Sequence, residues 1–337
     1  MLSYLVPFIV LILIVVFIHE YGHYYFAKRY GVGVTDFSIG FGQEILGWND
    51  KSGTRWKICW IPLGGYVKFF GDRNVFSQAD QEKILEKYNE EDRKKLFVLK
   101  PLYQRVLIVF GGPLANFLLA LVIFFSIYTF VGKDFTPAVI NEVQNESPAM
   151  IGGLKNNDII LEIDGNEVKS IMDVSKYIMM STDDLIDFKI KRSYEEFLLK
   201  IKPNIILGED NLGNKIKKRV VGIKLGAQNN EINHVKLGPA QAIYHAVNEV
   251  YYVSSSSLKY IGAMIFGKAD TSQLGGPIRI AKISGQVAEF GLLAFISMMA
   301  YISISLGLVN LFPIPLLDGG HLMFYAFEKV LGRPLSQ

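Results

Sequence analysis

Three stretches of this chain are almost uncharged and long enough to cross a bilayer, which takes about 20 residues. The first covers residues 1–18, MLSYLVPFIVLILIVVFI, and is finished by HEYGH. The second covers 106–131 and contains GGPLANFLLA; the third covers 290–317 and ends in NLFPIPLL. Between the first two the pattern changes. GVTDFSIGFGQ and GTRWKICWIPLGGYVKFFGD alternate apolar and polar positions and are punctuated by glycine, which predicts strands joined as a hairpin. SQADQEKILEKYNEEDRKKLF follows as a charged, amphipathic surface helix.

After the second span the alternation returns. DIILEID meets NEV through Asp164-Gly165, a tight hairpin signal. IMDVSKYIMM then predicts a helix, and LIDFKIKR and EFLLKIKP two further strands, so this region reads as a small β-rich domain. The next stretch, LGPAQAIYHAVNEVYYVSSSSLKYIGAMIF, aligns Ile243, Val247, Val250, Leu258, Ile261 and Ile265 along one face. His245, Asn248, Glu249, four serines and Lys259 would be costly in lipid, so it is expected to lie at the membrane interface and not to form a fourth span.

Composition agrees with a membrane protein carrying a soluble part: half of the 337 residues are hydrophobic. The first apolar run is expected to stay in the membrane and not to be a secretory signal peptide, because no basic residue precedes it and no small-residue cleavage site follows it. A net charge of +3 is too small to argue for nucleic acid, and no basic helix or aromatic-basic strip supports one, so no nucleic-acid partner is expected. Cys59 is the only cysteine, so no intrachain disulfide forms and an ordinary thiol is expected. Lysines and arginines crowd the connection from Lys28 to Arg105, whereas none precedes the first span. That bias puts the connection in the cytosol and the N-terminus and the β-rich domain outside.

The chemistry is concentrated at HEYGH. His19 and His23 are one helical turn apart and project from the same face, where they can share a metal ion. Glu20 lies beside them, placed to take a proton from water activated by that metal. Ionisable groups at membrane depth cost a few kcal/mol each, so they usually have partners and a function. A third ligand is needed. His234 and His245 fall on the opposite side of the membrane, while Asp318 and His321 follow Pro313 and Pro315, which break the third apolar run at the right depth. By chemistry alone either Asp318 or His321 can complete the site.

HExxH in the first span and NLFPIPLLDG in a late one resemble the site-2 protease family of intramembrane zinc metalloproteases. SPAMIGGLKNNDIILEIDGNEV resembles a PDZ domain, with Asn157 standing where that family usually has glycine. Together these are similar to the bacterial regulator of sigma-E protease branch, and FSIGFG, IPLGGYVKFFGD, GGPLANFLLA and LGGPIRIAK extend the match over nearly the whole chain. The resemblance implies zinc held by His19, His23 and Asp318, with Glu20 as general base and Asn310 holding the scissile segment or its developing oxyanion. It implies that Gly40, Phe41, Gly42, Gly64, Gly65 and Tyr66 lie in a glycine-rich hairpin that dips into the membrane and pairs with an extended substrate. GGPLANF reads as close helix packing, with Asn116 able to bond to another helix.

The implied fold class is a membrane protein with a polytopic α-helical transmembrane core, a membrane-reentrant β-hairpin and an inserted extracytoplasmic PDZ domain. Its expected parts are a transmembrane helix at 1–27, the cytosolic or reentrant loop at 28–104 and a second transmembrane helix at 105–132. The PDZ domain follows at 134–205, then a strand and interfacial helix at 206–287 and the last transmembrane helix at 288–328. The implied activity is zinc-dependent cleavage of single-span substrates, such as anti-sigma factors, in the bacterial cytoplasmic membrane after a first extracytoplasmic cut. Remnant signal peptides form a second substrate class. A catalytically dead PDZ adaptor has no use for Glu20, and a metal-coupled transporter would need paired broken helices in repeated halves. The family also carries a span beyond the LDG segment and often a second PDZ domain. Here the chain ends at VLGRPLSQ, and 205–237 is too short for another copy.

Overall fold

The computed structural model describes residues 2–71, 88–209, 215–226, 233–267 and 275–332. Most of the charged helix expected at 77–97 lies outside the described residues, and its end contributes one helical turn, Glu90–Arg93. In chain order the longer helices are α1 (Leu2–Arg29), α2 (Leu102–Ser126), α3 (Ile171–Met180), α4 (Pro239–Ile265), α5 (Pro277–Glu289), α6 (Leu292–Asn310) and α7 (Asp318–Leu331). Among the described residues three helical stretches are long and apolar enough to cross a membrane: Tyr4–Arg29, Leu102–Val131 and Leu292–Asn310. The chain divides into two compact units, Met1–Ile123 with Ile280–Gln337, and Phe124–Arg279.

In the first unit α1 does not stop where the apolar run stops. HEYGHYYFAKR contains no proline, and Lys28 and Arg29 complement the helix dipole in the last turn, so the helix continues through the histidines. Its inward stripe steps by four residues, Leu11, Val15, His19, His23 and Ala27, all buried. Halfway along, that stripe changes from aliphatic to imidazole. At the other end of the unit, α6 stops at Asn310, earlier than the apolar run suggested. Pro313 and Pro315 lack N–H groups and disfavour helix before them, and Leu316 takes a left-handed φ of 80° before α7 opens at Asp318.

Strands β1 (Val34–Asn49) and β2 (Arg55–Phe69) form the expected antiparallel hairpin, but each is folded over on itself. Phe37 pairs with both Val67 and Trp56, and Ser38 with both Tyr66 and Lys57, while Trp48 also pairs with Trp56. The bends fall at Gly40 and Gly42 (φ 87° and 90°) and at Gly64 (φ 138°), conformations closed to most side chains. Trp48, Trp60, Ile61 and Leu63 remain exposed on this hairpin.

In the second unit the first strand is β3 (Lys133–Asp134), which pairs with β12 (His234–Val235). Its main sheet contains β4 (Val139–Val143), β5 (Ile159–Ile163), β6 (Asn166–Glu167), β7 (Ile186–Arg192), β8 (Glu195–Ile201) and β11 (Ile223–Gly226). The order is β11-β4-β5-β7-β8, all antiparallel, with β6 on β5. Alternation turns Ile186, Phe188 and Ile190 inward onto Ile140, Ile160, Ile163 and Ile201, and α3 adds Val174 and Ile178. Burial of each such side chain is worth about 1.5–3 kcal/mol.

Asp164 and Gly165 both take positive φ, as a tight primed turn requires, and Asn157 sits at φ 69°. Ser170 and Asp173 close a capping box on α3. The domain ends later than residue 205. A hairpin of β9 (Asn204–Glu209) and β10 (Lys215–Val220) delivers β11 to the free edge of β4, a pairing that four residues of local sequence cannot signal.

Candidate metal centre

Helix α1 carries His19, Glu20 and His23 inward, each less than a tenth exposed. Helix α2 can reach them because the two helices cross at glycine. A Cβ on Gly22 would lie 2.1 Å from the Gly111 carbonyl oxygen, and one on Gly112 would lie 2.3 Å from His23 Nε2. No larger residue fits at Gly112 without displacing the histidine.

Asp318, the first residue of α7, projects toward the same point. Its Oδ2 lies 3.2 Å from His19 Nε2 and 3.5 Å from His23 Nε2, and the two Nε2 atoms are 3.3 Å apart. Donors about 2.0–2.1 Å from a tetrahedral zinc ion stand about 3.3 Å from one another. The observed triangle has that size. Asp318 Oδ2 is buried and makes no hydrogen bond, a costly condition for a carboxylate oxygen unless a cation satisfies it. Two imidazoles and a carboxylate suit zinc and leave a fourth position for water or substrate. The donor set fits that ion. Among the described residues these three form the only group of three or more His, Cys, Asp or Glu able to share an ion.

The remaining expected residues are distributed as follows. Asn310 closes α6, with Nδ2 3.5 Å from His19 Nε2. Gly65 packs on Glu20 itself, where a Cβ would lie 2.9 Å from the Glu20 Cγ. Phe41 lies over Gly64, its ring 6.3 Å from that of Tyr66, and Gly40 abuts the Ile61 carbonyl. Gly40, Phe41, Gly42, Gly64 and Tyr66 thus shape the folded hairpin, while Gly65 touches the site. His321 stands one turn beyond Asp318 on α7 and is not among the converging donors. His234 and His245 belong to the second unit, where His245 packs against Phe135 and Tyr128.

Two contacts were not assigned by sequence reasoning. His23 Nδ1 donates to the Ile108 carbonyl at 2.9 Å, and His19 Nδ1 lies 3.2 Å from the Asn116 amide. The Gly-Gly-Pro interruption of an otherwise aliphatic span hinted that α2 comes this close, and Asn116 was read as able to bond to another helix without His19 being named.

Comparison with known proteins places these features in one group. The model of peptidase family M50 matches residues 7–337. A protein of Agrobacterium fabrum, named a candidate zinc metalloprotease, is 40% identical over 99% of this chain and 88% of its own length. A similarly named protein of Mesorhizobium japonicum is 38% identical over 100% and 92%. A metalloprotease of Caulobacter vibrioides is 34% identical over 98% and 88%. Among solved structures, the PDZ domain of an SdrC-like protein from Listeria monocytogenes is 27% identical, covering 27% of this chain and 88% of that one, with a TM-score of 0.22.

Proposed function

The chain belongs to peptidase family M50 and is a membrane-embedded zinc metalloprotease, and on that premise we propose that it cleaves peptide bonds inside transmembrane segments. The observation that carries this reading is the placement of His19, Glu20 and His23 on a helix long and apolar enough to cross a membrane, with Asp318 converging on the two histidines. His19, His23 and Asp318 are the ligands. A zinc ion held by them would supply Lewis acidity toward the scissile carbonyl and toward a water molecule. Glu20 takes that water's proton and returns it to the leaving amine. Asn310 Nδ2, at the edge of the site, steadies the scissile carbonyl as charge develops on it.

A transmembrane helix buries its peptide bonds in its own hydrogen bonds, so the substrate must be extended before it reacts. The folded β1–β2 hairpin offers strand edges for that purpose, and Gly65 brings one of its segments against Glu20. The exposed Trp60, Ile61 and Leu63 suit insertion of its bend into lipid. The substrates are single-span, membrane-anchored proteins of the bacterial cytoplasmic membrane, anti-sigma factors and remnant signal peptides among them.

We read the β-domain as a PDZ domain on the extracytoplasmic side that screens substrates by the size of their outer portion. A deletion that tests this must remove 137–226, because stopping at 203 would leave β11 without its sheet. Such a variant should cleave substrates whose outer domain has not been trimmed. Continued rejection of intact substrate, with trimmed substrate still cut, would make the domain a docking module instead. The central test is cleavage of single-span substrates in lipid by wild type and Glu20→Gln, with zinc determined on the same samples. Glu20→Gln should keep near-stoichiometric zinc and lose about 10²–10⁴-fold in rate, the usual worth of a general base. Wild-type-like cleavage by that variant removes Glu20 from the mechanism.

A further inference from the structure

His23 and His19 are not supported in the same way. A histidine that binds metal through Nε2 must carry its proton on Nδ1, and that N–H needs an acceptor. For His23 the acceptor is a main-chain carbonyl, Ile108 O, which cannot turn. For His19 the partner is the side-chain amide of Asn116, a fully buried residue on the same helix. Its backbone is pinned in turn, since Ser303 Oγ on α6 donates to the Asn116 carbonyl at 2.9 Å.

The amide stands with Nδ2 toward His19 Nδ1 at 3.2 Å, while its Oδ1 is buried without any partner. In this orientation Nδ2 donates and His19 Nδ1 accepts. The neutral ring then carries its proton on Nε2, the atom that faces His23 Nε2 and Asp318 Oδ2. A half-turn of the amide exchanges Oδ1 and Nδ2. Oδ1 then accepts the Nδ1–H of His19, the orphaned oxygen gains its bond, and the Nε2 lone pair is free for metal.

We propose that Asn116 is a positioning residue for the metal centre, its Oδ1 holding His19 in the Nδ1–H tautomer that presents Nε2 to zinc. This rests on the assignment of His19 as a ligand. Asn116 therefore acts by accepting a hydrogen bond, and a carboxylate can do the same.

The experiment measures zinc affinity by chelator competition on the full chain in detergent or lipid, for wild type, Asn116→Asp and Asn116→Leu. Thermal midpoints are taken with and without zinc. Asn116→Leu should bind zinc about 10–100-fold more weakly, the usual cost of losing an outer-sphere partner. Asn116→Asp should remain within a few-fold of wild type, because it keeps the acceptor. The zinc-induced rise in midpoint should follow the same order, whatever the zinc-free midpoints are. If Asn116→Leu does not fold, Asn116→Ala takes its place in the contrast with Asp. Equal affinities in all variants, or an Asp variant as weak as Leu, overturn the inference. A wild-type protein that takes up no zinc overturns the metal centre, and the inference with it.

Discussion

The membrane unit and the β-domain both bury polar side chains, but they treat them differently. In the β-domain, fully buried Asp158 accepts two hydrogen bonds from Arg192, at 2.7 and 2.8 Å, and a third from the Lys155 backbone N–H. Ser147 and Ser170 are buried as helix caps, each accepting a backbone N–H. These groups are paired locally and serve the fold. In the membrane unit, His19, His23 and Asp318 point their free atoms at one another, and Asp318 Oδ2 has no hydrogen bond. A buried polar atom without a partner costs about 1–3 kcal/mol, more when charged. In the membrane unit that cost falls where His19, His23 and Asp318 converge, and this marks the site at which an external ion completes the structure.

The largest test of this contrast is removal of the unpaired carboxylate. Asp318→Ala should lose zinc affinity by more than about 100-fold, beyond the usual outer-sphere loss, and cleavage with it. The zinc-free variant should be no less stable than zinc-free wild type, since a buried orphan has gone. His321→Ala should keep its zinc. Metal analysis and thermal melts on both variants decide the matter, and the reverse pattern would reassign the ligand to His321.

Gly112→Ala should come next. Its methyl group would stand where His23 Nε2 now lies, so zinc affinity should fall about 10–100-fold, as for other losses of ligand placement. Retention of wild-type affinity would mean that α2 is free to withdraw.

In the β-domain the corresponding lesion is Arg192→Met, which leaves Asp158 buried without its cation. Breaking such a pair typically costs 3–5 kcal/mol, and the partial exposure of Arg192 reduces this to about 2–3 kcal/mol. Differential scanning calorimetry should show an earlier β-domain transition, with zinc content unchanged. Zinc loss in this variant would break the division between the two regions.

The smallest effect concerns Asp50, on the loop that ties β1 and β2 to α1. Burial would raise its carboxyl, but hydrogen bonds from Ser52, Trp56, Thr54 and Tyr24 outweigh that and hold it well below the usual carboxylate range. A depressed folded-state value means that this stabilisation is present above the unfolded value of about 3.9 and fades as the pH falls below it. Melts of Asp50→Asn should show a lower midpoint at neutral pH and a flatter fall as the pH drops below about 4. An unchanged acid limb would remove Asp50 from the linkage.

How much of this was legible in the sequence depended on the range of the interaction. HExxH declares itself because residues one turn apart on a helix share a face. The Asp-Gly turn, the capping box on α3 and the alternation of IDFKIKR are equally local. Other features were visible only as residue types: GGPLAN reads as close packing, and nothing in it names His23 as what Gly112 approaches. The choice between Asp318 and His321 was open by chemistry, since both follow the same prolines and either side chain can bind zinc.

What the sequence by itself determined is therefore the set of apolar helices, the helical face that carries the histidines and glutamate, and the periodicity of the β-domain. These follow from 3.6-residue and two-residue repeats, which the backbone imposes without long-range contacts. Only the tertiary structure decided that α1 meets α2 at a glycine crossing and that β11 returns to the sheet beside β4. It also decided that Asp318, rather than His321, meets both imidazoles, and that Asn116 stands against His19. Each of these joins residues far apart in the chain. Their meeting depends on how closely helices and strands can pack, which is set by the side chains on both partners at once.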